Sequence, residues 1–264
     1  MKILIKVKYD GSGLNGSQVQ PGLPTVQGEL TAAAREVFGF DCDVTGCSRT
    51  DSGVHALSYC ASISPREDSG RGNWCPVPVG KVPRALNSKL PSSISVCGAC
   101  SVENSFHPRY DVVSKEYVYL ISDSAVRDPF LVCRAWQIGR PLSEDGIVAM
   151  SRAGAHFVGR HDFSAFMASG SDVTVTEREI TLLSVKRRGD GIIEITVAAD
   201  GFLYNMVRII AGTLVAVGRG VISVDEIPSI INSRDRSRAG QTAPPDGLYL
   251  SEVKYKEPIN WLYE

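Results

Sequence analysis

The chain has 264 residues, 43% of them hydrophobic and 22% charged, with a formal net charge of −1. That is a globular balance, with ample apolar material for one large domain or two smaller ones. It excludes a generally basic surface, so any binding to nucleic acid has to rest on local positive charge.

The opening Met1-Lys2-Ile3-Leu4-Ile5-Lys6 lacks the apolar core of a signal peptide, and no apolar run is long enough to span a membrane. A soluble, cytoplasmic protein is expected, with no membrane partner. Seven cysteines, an odd number, predict reduced thiols in that compartment. Cys97-Gly98-Ala99-Cys100 has the spacing of a metal-ligand pair, but no second pair completes four ligands, and no metal is predicted.

Lys2 to Tyr9 alternates, with Ile3, Ile5, Val7 and Tyr9 on one face and Lys2, Lys6 and Lys8 on the other, as in a half-buried strand. Gly11-Ser12-Gly13-Leu14-Asn15-Gly16 follows, a literal G-x-G-x-x-G. A dinucleotide fold needs a helix to open directly at that loop, and here Pro21 interrupts. The helix is expected only from Thr25 as N-cap, with Val26, Leu30, Ala33, Ala34 and Val37 inward. The loop keeps an interest as a set of backbone donors for phosphates.

Cys42 to Thr45 and His55 to Ile63 read as strands around Gly46-Cys47-Ser48-Arg49-Thr50-Asp51-Ser52-Gly53-Val54. A carboxylate, Asp51, thus stands at the tip of a tight turn. Arg49 lies two residues upstream, on the same face in extended backbone, where its charge favours the ionised carboxylate. An ionised carboxylate is what a nucleophile or base requires; the plainer reading is an Asp that bonds its own turn. Pro65 to Pro78 reads as an exposed loop, Pro83 to Leu90 as a short helix, and Ile94 to Val102 as a strand closing the first half near Asn104.

After Phe106-His107-Pro108-Arg109-Tyr110, the strand Val112 to Ile121 projects Lys115, Tyr117 and Tyr119 from one face. Such a face can stack on a base and hold a phosphate, or simply pack in a core. Leu131 to Ile138 is expected as a strand, and Ser143 as the cap of a helix with Ile147, Met150, Gly154 and Phe157 inward and Gly159 at its end. His161-Asp162 reads as local structure, there being no nucleophile to pair with it. Gly189-Asp190-Gly191 between two strands predicts a hairpin, with Lys186, Arg187 and Arg188 beside it.

Leu203 to Gly218 is apolar on nearly all sides, so its helix is predicted to be buried, and Arg208 within it needs a partner: a backbone carbonyl, a structural carboxylate, or Asp51. Ser223-x-x-Glu226 makes a capping box, Arg234, Arg236 and Arg238 a basic loop, and Leu248 to Tyr255 a final strand. The repeated strand–helix–strand–strand pattern predicts two similar α+β halves.

These motifs together resemble one family, the TruA-type tRNA pseudouridine synthases. The resemblance rests on Tyr9-Asp10-Gly11-Ser12-Gly13, the Arg49-Thr50-Asp51-x-Gly53-Val54-His55 run, Lys115-x-Tyr117-x-Tyr119, Gly159-x-His161-Asp162-Phe163-x-x-Phe166, Gly201-Phe202-x-x-x-Met206-Val207-Arg208 and Asp246-Gly247-Leu248-Tyr249, in the family's order. It implies an α+β fold of two similar α/β halves, 1–104 and 105–264, whose mostly antiparallel strands join in a central mixed sheet flanked by helices, with the active-site cleft between them.

The implied activity is isomerisation of uridine to pseudouridine in the anticodon stem-loop of tRNA, by a homodimer without metal or nucleotide cofactor. Asp51 falls on the family's catalytic aspartate, where it attacks C1′, adds to C6 of the base or removes a ribose proton. Arg49 falls beside it, Arg208 on the arginine that pairs with it, Tyr117 on the active-site tyrosine and Leu248 on an apolar pocket residue; Lys115 and His55 are expected at the substrate. The family's Gly-Trp-Gln-Arg-Gln is here Gly16-Ser17-Gln18-Val19-Gln20, lacking an aromatic and a cation, and Lys115 stands where the family usually has Arg. The remaining alternatives are a non-catalytic RNA-binding module and a dinucleotide-binding oxidoreductase using the Gly11–Gly16 loop.

Overall fold

A computed structural model describes residues 1–66, 75–170 and 173–262. Residues 67–74, part of the predicted loop Pro65 to Pro78, lie outside the described residues. The chain divides into two compact units, Met1–Val113 with Leu250–Glu264, and Ser114–Tyr249. The division falls at 113–114 where the sequence reading had 104–105, because the loop after the fourth strand and the end of the last strand both pack with the first unit.

The first unit holds β1 (Lys2–Tyr9), α1 (Val26–Phe38), β2 (Cys42–Gly46), β3 (His55–Pro65), α2 (Val82–Asn87) and β4 (Ile94–Val102), with the body of the last strand, β10 (Leu248–Tyr255). Its strands run in the order β4-β1-β3-β10, and β2 adds to β3. Ile5 of β1 faces Ala61 of β3 on one edge and Ala99 of β4 on the other. Ile3, Ile5, Val7 and Tyr9 are buried and Lys8 is exposed, as the alternation predicted; Leu4 is the one buried residue on the lysine face of β1. In β3, Ser58 and Ser62 are buried beside Tyr59, Ala61 and Ile63, while Leu57 is exposed.

Thr25 caps α1, its hydroxyl accepting the Gly28 N–H, and Gly39 ends the helix in the left-handed conformation. Val26, Leu30, Ala33, Ala34 and Phe38 form its buried stripe. The helix α2 stops at Asn87, three residues short of the predicted end, and residues 88–90 finish as turns on Arg84 and Leu86 carbonyls.

The second unit contains β5 (Val112–Ser122), β6 (Trp136–Gln137), α3 (Glu144–Ala155), β7 (Gly159–Asp162), β8 (Glu177–Arg187), β9 (Ile192–Ala199), α4 (Met206–Gly218) and α5 (Ile227–Ser233). Its order is β5-β9-β8-β7, antiparallel, and β6 pairs parallel with β5, so the sheet is mixed. The strand expected over Leu131 to Ile138 shrinks to Trp136–Gln137: Pro129–Leu131 coils into a 3-10 turn, and Cys133 takes φ +57°, which no strand accommodates. Ser143 caps α3 as expected, but Gly159, at φ +108°, opens β7 instead of closing the helix.

Helix α3 packs on α4 and β8, and the three fully buried rings of Phe157, Phe163 and Phe166 meet edge to face beyond its end. Strands mostly antiparallel, with helices against them, make the chain an α+β protein.

Candidate active site

The Asp51 loop joins β2 to β3. The Val54 N–H closes a turn on the Asp51 carbonyl, and Gly53 supplies the positive φ of +82° that such a turn needs. The flanks of the turn are tied down from three directions. The Tyr9 and Thr50 hydroxyls meet at 2.8 Å; Ser17 donates its N–H to the Thr50 carbonyl at 3.0 Å, and its hydroxyl accepts the Thr50 N–H at 2.8 Å. The Ser17 and Tyr59 hydroxyls both donate to the Ser48 carbonyl, at 3.3 and 3.2 Å. Thr50 is buried, Asp51 half-buried and Arg49 and Ser52 exposed. A carboxylate is thereby held at a fixed depth on a loop whose own polar groups are spent on its scaffold, the pre-organisation that a reacting group needs.

The glycine loop explains itself against this turn. A Cβ on Gly11 would fall 2.0 Å from the Val54 carbonyl oxygen, and one on Gly16 2.6 Å from that of Thr50. The glycines let two loops touch; they do not make room for a pyrophosphate. The loop's backbone donors are engaged inside the unit: Gly11 N–H on His55 Nδ1, Ser12 N–H on Asp10, Asn15 N–H on the Pro24 carbonyl. With α1 opening only at Val26, the dinucleotide reading has no site here.

His55 is 3% exposed, its Nδ1 3.1 Å from the Gly11 nitrogen and 3.3 Å from an Asp10 carboxylate oxygen. It braces the glycine loop from within. Ser17, where the family pattern lapses, is 2% exposed and is the loop's clamp. Neither role has a sequence signal, since each depends on a partner more than thirty residues away. Tyr9 and Tyr59 were missed for the same reason. Alternation along their strands marks them only as inward residues.

In the second unit, Tyr117 stands in β5 opposite Val197, 6% exposed, its ring edge-on to Phe202 at 5.0 Å. Lys115 is half-buried two residues before it. Tyr119 is fully buried and donates its hydroxyl to the Pro244 carbonyl at 2.6 Å. Burial pushes its phenol well above the usual range, against the opposing charge of Arg208. Arg208 is half-buried, less so than its helix predicted; its bonds include Nε–H to the Ala243 carbonyl and Nη1–H to Asn205 Oδ1, both at 2.7 Å. A backbone carbonyl is thus among its partners. Leu248 is 7% exposed at the start of β10.

The other basic clusters are committed internally. Lys186 and Arg188 pair with Glu194, and Arg187 with Asp123 and Glu144. Arg234 pairs with Asp162, Arg236 holds the Gly240 carbonyl, and Arg238 reaches Ser229. Asp162 also accepts from Ser164 and Thr176, which confirms His161-Asp162 as local structure. Among the described residues no group of three His, Cys, Asp or Glu could hold a metal ion.

Comparison with known proteins places the chain in a class first. Residues 153–256 match the family model described as tRNA pseudouridine synthase. Over nearly its whole length the chain is similar to proteins named tRNA pseudouridine synthase A: 44% identical to that of Thermoanaerobacter sp. (strain X514), covering 96% of this chain and 99% of the relative. The relative from Acetivibrio thermocellus is 43% identical over 94% of this chain and 97% of its own, and that from Bacillus pumilus 41% over 97% and 99%. The chain belongs to the tRNA pseudouridine synthase A family.

Proposed function

We infer that the protein isomerises uridine to pseudouridine in tRNA. The similarity to the named synthases over 96% of the chain carries this reading. In the reaction the bond from C1′ to N1 breaks, the uracil turns, and C5 bonds to C1′; the proton leaving C5 is balanced by one taken up at N1. The product is an isomer, so no oxidant and no net water is consumed.

Asp51 acts as the nucleophilic carboxylate, on a loop that holds it half-buried with its neighbours clamped. From the second unit, Tyr117 offers a ring to the uracil, Leu248 an apolar wall, Lys115 a cation to the RNA backbone and Arg208 positive charge to the carboxylate. On this reading residues from both units act on one nucleotide, flipped from the anticodon stem-loop. Arg49 adds charge to the same loop, and His55 serves the substrate through the glycine loop it braces. A homodimer working in the cytoplasm completes the reading.

The test uses tRNA tritiated at uridine C5, whose label leaves as C5 bonds to C1′. Asp51→Asn should bind tRNA as the wild type does and release tritium about 10⁶-fold more slowly or not at all, the scale of losing a nucleophile. Wild-type release from Asp51→Asn would end the assignment.

A further inference from the structure

A cavity of about 190 Å³ opens in the first unit, lined by Ser17, Gln18, Ser48, Arg49, Arg109 and Tyr110 among others. At about 30 Å³ per water it has room for roughly six waters, or for one phosphate or a pyrimidine ring. Two guanidiniums line it and no carboxylate does. Neither the Arg49 nor the Arg109 guanidinium bonds to another described residue, in contrast to Arg187, Arg188, Arg234, Arg236 and Arg238. Two guanidiniums that the fold does not use thus line one cavity, on a chain of net charge −1.

The second wall is a rigid aromatic step. The Tyr110 ring is 77% exposed, yet it is stacked on His107 with centroids 4.2 Å apart. His107 is itself fixed: its Nδ1 accepts the backbone N–H groups of Arg109 and Tyr110, and its backbone N–H donates to the Asp111 carboxylate at 2.7 Å. An exposed ring held in place costs little to order when a base stacks on it. Arg109 and Tyr110 therefore present a charge and a flat face together, the pairing that single-stranded nucleic acid requires.

We propose that this cavity is a nucleotide subsite, in which a phosphate next to the reacting uridine lies between Arg49 and Arg109 and a base stacks on Tyr110. The proposal rests on the assignment of Asp51 above: Arg49 is two positions from Asp51, with Thr50 between them and at most about 7 Å of chain, so the subsite takes a neighbour of the reacting nucleotide. It also gives the RNA an arginine and an aromatic in the first unit, the two side-chain types missing at Ser17 and Val19.

The experiment measures Kd for a tRNA transcript across a salt series, and kcat and KM by tritium release. Arg109→Ala should raise Kd and KM about tenfold and lower the slope of log Kd against log salt by about one. Arg109→Lys should keep the slope and recover part of the affinity. Tyr110→Ala should raise Kd about tenfold and Tyr110→Phe should not, and at that exposed position neither change threatens folding. Wild-type Kd and slope in both alanine variants would overturn the subsite while leaving the isomerase reading intact. A pocket-dependent slope without tritium release by the wild type would keep the subsite and remove the isomerase reading; no tRNA binding at all would remove both.

Discussion

Around Asp51 the decisive side chains are those that hold its neighbours. Ser17→Ala deletes the acceptor of a buried Thr50 N–H and a donor to Ser48. It should cost about 1–3 kcal/mol in denaturant unfolding and slow tritium release further than that loss of fold explains. Gly11→Ala is harsher, since its Cβ would overlap the Val54 carbonyl and part the two loops; little folded protein is expected by circular dichroism. Thiol chemistry divides along the same line between buried and open positions. Burial raises the Cys42 and Cys100 thiols to about 11 and Cys60 further, whereas Cys133 is exposed. Iodoacetamide at neutral pH should label Cys133 well ahead of Cys42, Cys60 and Cys100, as peptide mapping would reveal.

At the scale of elements, the second unit is pinned by an ion pair between a buried Asp123 and a half-buried Arg187. Asp123 accepts from Arg187 through both terminal nitrogens at 3.0 Å and from the Leu142 N–H at 2.8 Å, joining β5, β8 and the approach to α3. Burial alone would raise the Asp123 carboxyl, but these bonds outweigh it and hold the carboxyl below its ordinary range. A folded-state pKa below the unfolded one contributes stability that is present above about pH 3.9 and lost as pH falls through the folded value. Asp123→Asn should cost about 3 kcal/mol at neutral pH. It should also flatten the acid limb of a plot of Tm against pH; an unchanged acid limb would mean that other carboxylates govern it.

For the whole molecule, the return of residues 250–264 to the first unit makes that unit discontinuous in sequence. Strand β10 covers an edge of β3, Tyr255 donates its hydroxyl to the Pro108 carbonyl and its ring meets Phe106. A fragment of residues 1–113 should therefore expose the β3 edge and aggregate on gel filtration, and joining residues 250–264 to it through a linker should cover that edge and restore a folded first unit by circular dichroism. Much of the remaining plan was legible from local rules. The alternation of Lys2–Tyr9, the Thr25 and Ser143 caps, the Gly189–Gly191 hairpin and the Asp51 turn all follow from periodicity and turn chemistry carried by adjacent residues. Local rules failed where a distant partner decides. Cys133 turns the chain out of an expected strand, serines fill the buried second face of β3, and Gly11 and Gly16 serve close packing against residues 50–54. The sequence by itself determined most of the elements, the family motifs and the carboxylate at the loop tip, because each rests on neighbours in the chain. Only the tertiary structure decided what Ser17 and His55 hold and which arginines keep their charge for a ligand, because hydrogen bonds and ion pairs across tens of residues exist only once the chain has packed.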